Sequence, residues 1–194
     1  MPVSHEEYVA AVNGKWQIHL TTTRYVPRNW FPENMKGIRV LGLASGGGQQ
    51  MPILAAAGCD CTVFDYSDEQ LKRERETADR EGYQIKIIKG DMTQPLPFEK
   101  ESFDLTINPG SNCYVREVRP IFRECWRILK KNPEQMKQLQ DHDAGIQFSH
   151  TLEELIGGQL EAGFILTDLY EDYNAEGRLK EFNIPAFIAT RAIK

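Results

Sequence analysis

The chain lacks the features that would place it in a membrane, on a nucleic acid or in an oxidising compartment. None of its apolar runs is long enough to span a bilayer, and its N-terminus carries no secretory apolar core. It has no basic excess. Its 23 Lys and Arg against 28 Asp and Glu leave a net charge of −5, which argues against a protein built to grip nucleic acid or an anionic membrane. The one basic run, KRER at 72–75, is interleaved with acids and reads as a solvated helix face. Cysteine and histidine are scarce. Cys59 and Cys61 stand close together, but no further ligand follows at zinc spacing, so no metal site is expected. With Cys113 and Cys125 they read as buried free thiols, and the expected location is the reducing cytoplasm. Repeats and low-complexity segments are absent too. What is present is an ordinary globular composition, 41% hydrophobic and 26% charged over 194 residues, enough for one domain with a sizeable core.

The hydrophobic pattern then organises the chain. SHEEYVAAVNGKW carries a capping box, Ser4 with Glu7, and Tyr8, Val12 and Trp16 at spacing four, so an amphipathic helix is predicted. After a polar and aromatic loop, four short β-rich runs appear: 38–44, 61–67, 84–91 and 103–110. Helical segments alternate with them. One is QQMPILAAAG, with Pro52 near its start. A second is DEQLKRERETADREG, capped by Ser67 and Gln70. A third is VREVRPIFRECWRILK, with Val115, Val118, Phe122, Cys125 and Leu129 on one face and Pro120 in the first turn. This alternation implies βαβ units and a parallel sheet with helices on both faces. The end of the chain differs. Thr151 and Glu154 cap a helix bearing Leu152, Leu155, Ile156 and Leu160, which Gly163 ends. Runs 164–172 and 184–193 follow as an antiparallel hairpin at one edge. The fold class expected is α/β, Rossmann-like and mostly parallel, with an N-terminal helical lid and a C-terminal hairpin.

The stretch LGLASGGGQQMP, 41–52, joins the first strand to the first crossover helix, which is where an open α/β sheet holds its ligand. Glycines there let a ligand approach the backbone, although a tight βα turn alone would also use them. The dinucleotide fingerprint fails, because Met51 stands where the third glycine belongs, and no Gly-Lys-Ser/Thr completes a phosphate loop. Two acids share the same rim. Asp65 ends the second strand at the distance of a ribose-binding carboxylate, and Asp91 ends the third. Either alone reads equally as a turn or cap residue. Together with the loop they suit a nucleoside without a diphosphate.

VLGLASGGG, VFDYS, GDMTQPLPFEKESFDLTINPGS and the helix ending RECWRILK together resemble class I S-adenosylmethionine-dependent methyltransferases of the small-molecule, methyltransferase type 11-like group. The resemblance is strong over about residues 35–130 and extends to the closing helix and hairpin. It implies S-adenosylmethionine as cofactor, S-adenosylhomocysteine as product, a small-molecule acceptor, and no nucleic-acid or membrane partner. Oligomeric state is left open. It also implies roles. Ala44, Ser45, Gly46, Gly47 and Gly48 would run along the methionine moiety and ribose. Asp65 would bind the ribose hydroxyls with Tyr66 beside the adenine. Asp91 would reach the adenine amine, Met92 would pack on the ring, and Asn108, Pro109 and Gly110 would floor the site near the sulfonium. The family usually has an acid where Gly42 stands and a glycine where Ala44 stands. Gln49 or Gln50 is the nearest polar replacement for that acid.

Methyl transfer by in-line displacement depends on alignment more than on a specialised residue. No catalytic base is assigned, since His19 and His150 read better as structural, as do Tyr25, Trp30 and Tyr114. The alternatives are a non-catalytic protein that binds the same cofactor and, less favoured, an NAD-dependent oxidoreductase. As domain layout, residues 1–34 form the lid, 35–130 the cofactor-binding core and 131–194 the closing helix and hairpin. The fifth strand that the family layout requires is missing from KKNPEQMKQLQDHDAGIQFSH, where only Ile146 and Phe148 alternate, so a segment is expected to be absent near Lys130–Lys131.

Overall fold

The computed structural model describes residues 1–131, 151, 153–181 and 185–194. The expectations for Ile146, Phe148, His150 and Leu152 lie outside the described residues.

The elements in chain order are α1 (His5–Val12), β1 (Arg39–Leu43), α2 (Gln50–Ala56), β2 (Asp60–Asp65), α3 (Asp68–Glu81), β3 (Lys86–Lys89), β4 (Leu105–Ile107) and α4 (Arg119–Ile128). A π-helical turn, Glu153–Gly157, then runs into α5 (Gly158–Glu161), followed by β5 (Ile165–Tyr173), α6 (Arg178–Glu181) and β6 (Pro185–Ile193). The first four strands form a parallel sheet in the order β3-β2-β1-β4. Parallel neighbours need long crossovers, and α2 and α3 supply two of them. Both sheet faces are therefore covered. On β1, Val40 packs with Met51, Leu54, Val63 and Leu71, whereas Leu41 and Leu43 face Phe64, Ile121 and Ile128. This two-sided burial explains why the strands read as continuous apolar runs rather than alternating ones.

Several expectations are corrected in detail. The capping box of α1 forms, with Ser4 N–H donating to Glu7 at 2.7 Å and Glu7 N–H to Ser4 Oγ at 3.2 Å. Its stripe buries only in part, with Tyr8 stacked on Tyr83 and Trp16 half-buried against the core. The helix stops at Val12, which is 57% exposed, and Ala11 alone is buried. Ser67 accepts from Gln70 N–H at 3.3 Å, but the reciprocal bond is not made. The Gln70 side chain lies instead against the glycine loop, its Oε1 filling the space where a Cβ on Gly47 would stand. α4 begins at Arg119 rather than Val115, because a 3₁₀ turn over Ser111–Tyr114 first carries the chain off the rim.

The C-terminal hairpin is antiparallel, as expected, with Ile165 opposite Ile193 and Leu169 opposite Thr190. Among the described residues it does not extend the main sheet but forms a two-stranded sheet of its own. Among the described residues, β4 has β1 on one side and only a single parallel bridge, Phe103 with Leu129, on the other. That bridge is well made, with Phe103 N–H donating to Ile128 C=O at 3.0 Å and Lys130 N–H to Phe103 C=O at 2.8 Å. Beyond it lies an apolar cavity of about 350 Å³, flanked by Leu105–Asn108 on one side and Ala186–Ala192 on the other.

Candidate cofactor site at the carboxyl rim of the sheet

β1, β2, β3 and β4 run parallel, so the loops after them meet on one rim. The loop after β1 is tightly tied. Ala44 takes a left-handed conformation, φ +48, unusual for a residue with a side chain. Gly46 N–H donates to Asp65 Oδ2 at 2.9 Å, Gly47 N–H to Gln70 C=O at 3.0 Å, and Gly48 N–H to Glu74 Oε2 at 2.7 Å. The carbonyl of Gly48 accepts from Val3 N–H at 2.7 Å, so the N-terminal segment closes over the loop. The three glycine amides are thus consumed by the protein. They form no empty nest for a phosphate, which is the physical content of the broken dinucleotide fingerprint.

A cavity of about 730 Å³ opens between this loop and the ends of β2, β3 and β4. Ten of the residues singled out from the sequence line it: Ala44, Ser45, Gly46, Gln49, Asp65, Tyr66, Asp91, Met92, Pro109 and Gly110. Asp65 is buried, with Oδ1 accepting from Ser67 N–H at 2.9 Å and Oδ2 from Gly46, so each oxygen keeps acceptor capacity. Asp91 receives both Thr93 N–H and Thr93 Oγ1 on Oδ1, at 2.8 Å each. Tyr66 stands exposed at the mouth, and Met92 is buried with the Asn108 amide 3.7 Å from its sulfur.

Three residues of the sequence set are not in the lining. Gly47 and Gly48 turn toward α3, where Gln70, Glu74 and Thr77 meet them, and Asn108 lies on the apolar cavity instead. Its side chain still bonds two rim residues, its amide lying against Met92 Sδ and its Oδ1 accepting from Ser111 Oγ at 2.7 Å. The two cavities meet at Gly110. Trp30 lines the apolar cavity and Tyr114 the rim cavity. Tyr25 lines neither and stacks on His19, with 4.0 Å between ring centroids. Of the two glutamines, Gln50 is buried, donating to His19 C=O at 2.9 Å, and Gln49 is exposed at the rim. Of the four cysteines, Cys59, Cys61 and Cys125 are buried as expected. Cys113 is exposed, because the 3₁₀ turn carries it to the surface.

Sequence reasoning missed Glu74. It lies in the basic run read as a solvated face, yet its side chain is fully buried under the glycine loop. Burial pushes its carboxyl up to about 7, against the bonds from Gly48 N–H and Tyr83 OH, which pull it down. The available signal was its phase. Leu71, Glu74 and Ala78 share the inner face of α3 at spacings of three and four.

A parallel four-stranded sheet with helices on both faces, a glycine loop after β1, Asp65 ending β2 and Asp91 two residues past β3 define a Rossmann-like α/β domain with its ligand rim at the carboxyl ends of the strands. The comparisons name the family. A family model described as "Methyltransferase domain" matches residues 41–133. The uncharacterized methyltransferase YbaJ of Bacillus subtilis (strain 168) is 37% identical in an alignment of 224 positions, covering 95% of this chain and 87% of that protein. The demethylmenaquinone methyltransferase of Clavibacter sepedonicus is 36% identical over 97 residues, 48% of this chain and 38% of its own. Among solved structures, an S-adenosylmethionine-dependent methyltransferase from Mesorhizobium loti matches with TM-score 0.66 and 18% identity, over 86% of this chain and 95% of its own. Another from Aquifex aeolicus matches with TM-score 0.61 and 16% identity, over 86% and 87%. The chain belongs to the class I S-adenosylmethionine-dependent methyltransferases and is a methyltransferase. Among the described residues, no helix is long and apolar enough to cross a membrane.

Proposed function

We propose that this chain transfers the methyl group of S-adenosylmethionine to a small-molecule acceptor by in-line displacement. The observation that carries the reading is the convergence of Asp65, Asp91 and the loop Ala44–Gly46 on one rim cavity, beside glycine amides already occupied by protein acceptors. Such a rim suits a nucleoside sulfonium and leaves nothing to cradle a diphosphate, which disfavours the nicotinamide alternative. In this reading Asp65 accepts from the ribose hydroxyls and Asp91 from the adenine amine. Met92 and Tyr66 flank the ring, Ala44–Gly46 follow the methionine moiety with Gly47 and Gly48 anchoring that stretch to α3, and Pro109 and Gly110 floor the reacting end with Asn108 behind them. Bound there, the cofactor supplies the activated methyl group. The residues contribute alignment, which is worth on the order of 7–11 kcal/mol in favourable cases. The acceptor approaches where the two cavities meet at Gly110, with Tyr114 at the mouth. The partial relative acting on demethylmenaquinone supports a small-molecule acceptor. No nucleic-acid or membrane partner is invoked, and a cytoplasmic location fits the free thiols.

Calorimetric titration with S-adenosylhomocysteine, beside NAD, tests the reading. Binding of the former and not the latter is expected, with Asp65→Ala weakening it about 10-fold or more through the loss of charged hydrogen bonds. No binding of S-adenosylhomocysteine, or an Asp65→Ala affinity equal to that of the unaltered chain, refutes it.

We infer also that the domain, which takes in the N-terminal lid, the core and the closing hairpin, lacks a segment near Lys130–Lys131. Three observations support this. The ladder outside β4 starts at Leu129 and is not continued among the described residues. Thr106 Oγ1 on β4 is buried without a hydrogen-bond partner, and an apolar cavity separates β4 from β6. The alignment with the Bacillus relative has 224 positions, whereas 95% of 194 residues is about 184, so about 40 positions have no residue here. Grafting the relative's additional segment between Lys130 and Lys131 should raise the melting temperature. An unchanged or lower one would count against the inference.

A further inference from the structure

We propose that Glu74 is the positioning residue of the cofactor site: a carboxylate on α3, buried beneath the glycine loop, fixes the Gly48 amide and so sets the course of Ala44–Gly46 along the rim. This rests on the cofactor reading above.

Glu74 is fully buried, and among the described residues no Lys, Arg or His forms an ion pair with it. A buried carboxyl without a cation is costly, and an apolar residue between Leu71 and Ala78 would serve the core better. Its retained partners are two donors, Gly48 N–H at 2.7 Å and Tyr83 OH at 3.1 Å. Gly48 is where the loop presses on α3. It sits at φ +69, and a Cβ there would fall 2.3 Å from Thr77 Oγ1. The loop therefore cannot relax by sliding, and its last amide is held by one acceptor.

The position on β1 from which an acid could otherwise reach the loop is closed. A Cβ on Gly42 would stand 2.8 Å from Met51 Sδ, and Met51 is itself fully buried. In this chain the acid that holds the loop stands on the helix behind it. Glu74 does not line the rim cavity, so it acts through Gly48 and not on the cofactor itself.

The groups facing Glu74 are Tyr83 just past its own helix, and Asp65 and Cys61 on β2. Burial first, and Asp65 after it, push the Glu74 carboxyl up to about 7, while Gly48 and Tyr83 oppose this. Above that pH the bond to Gly48 is charge-assisted and stronger.

Titrating the full chain with S-adenosylhomocysteine from about pH 6 to about pH 8 should show affinity rising on the order of 5-fold with a midpoint near 7. E74Q should bind more weakly above neutrality and lose the pH step, while melting no lower than the unaltered chain at about pH 8. An E74Q affinity and profile equal to the unaltered chain's overturn the proposal. If E74Q fails to fold, Tyr83→Phe removes one donor from the same carboxyl and should move the midpoint upward; an unmoved midpoint overturns it. An unaltered chain that binds with a flat profile refutes this inference alone, and one that binds at no pH refutes the cofactor reading with it.

Discussion

Gly42 and Met51 form the sharpest test of how the loop is packed. A Cβ on Gly42 would lie 2.8 Å from Met51 Sδ and 3.1 Å from both Cγ and Cε. Both residues are buried, Met51 with no exposed surface, and Met51 packs with Val40, Leu54 and Val63, so moving its side chain disturbs the core. Gly42→Ala is then an overpacking change, expected to cost about 1–3 kcal/mol. Met51→Ala removes a buried side chain and is expected to cost about 2–5 kcal/mol. In the double variant the new methyl group enters part of the space Met51 leaves. The combined cost should fall short of the sum by about 1–2 kcal/mol, within the range found for contacting residues. Urea unfolding gives the four free energies. Melting temperatures check them at about 2–4 °C per kcal/mol for a chain of this size. Gly42→Asp should fall below Gly42→Ala, because it adds an unpaired buried carboxylate to the same contact. Additivity of Gly42→Ala and Met51→Ala within about 0.5 kcal/mol would refute the packing argument, and with it the reason an acid is excluded from β1.

Two further outcomes follow from local geometry. Ala44→Gly should stabilise the chain by about 0.5–1 kcal/mol in urea unfolding, because Ala44 sits at φ +48, where a Cβ is penalised; a loss of stability would contradict that. Asp172 is fully buried, and its burial is outweighed by bonds from Thr23 Oγ1, Thr23 N–H and Tyr173 N–H, which hold its carboxyl down at about 2. A depressed carboxyl contributes stability above its unfolded value near 4 and loses it as pH falls toward 2. Acid unfolding of the unaltered chain should therefore show a component in that window that Asp172→Asn lacks, at a cost of about 1–3 kcal/mol near neutrality; identical acid profiles would refute it.

The order of elements was legible because period and punctuation agree locally. Ser4 with Glu7, the apolar run before LGLASGGG and the acids closing two strands each report a local rule that the tertiary structure obeys. What was not legible depended on contacts between distant residues. KRER gave no hint that its third residue points inward, since composition outweighed phase there, and only the neighbours Leu71 and Ala78 mark the buried line. Gln70 has the spacing of a reciprocal cap, but Gly47, 23 positions earlier, draws its carbonyl and side chain away. Gly47 and Gly48 lie outside the cavity lining for the same reason. A glycine run invites a ligand on paper, and only the fold reveals that α3 takes the space first.

The hairpin raises a separate mechanical question. Among the described residues no β-ladder joins it to the main sheet; Tyr170 and Ala189 pack into the same core as Val40 and Ile107, and the N-terminal segment supplies hydrogen bonds. Thr22 Oγ1 donates to Tyr173 C=O at 2.6 Å, Thr23 and Arg24 amides bond Asp172, Trp30 Nε1 donates to Asp168, and Arg191 donates to Trp30 C=O at 3.2 Å. The same N-terminal region reaches the cofactor side, where Val3 N–H bonds Gly48 C=O and His19 C=O accepts from Gln50. One segment therefore bridges the loop that would hold the cofactor and the hairpin that walls the apolar cavity. The rim cavity at the ends of β1, β2 and β3 is lined without the hairpin, whereas β6 walls the apolar cavity. If the acceptor approaches through the apolar cavity as proposed, loosening the hairpin should affect turnover before it affects cofactor affinity, because β6 walls that cavity and not the rim cavity.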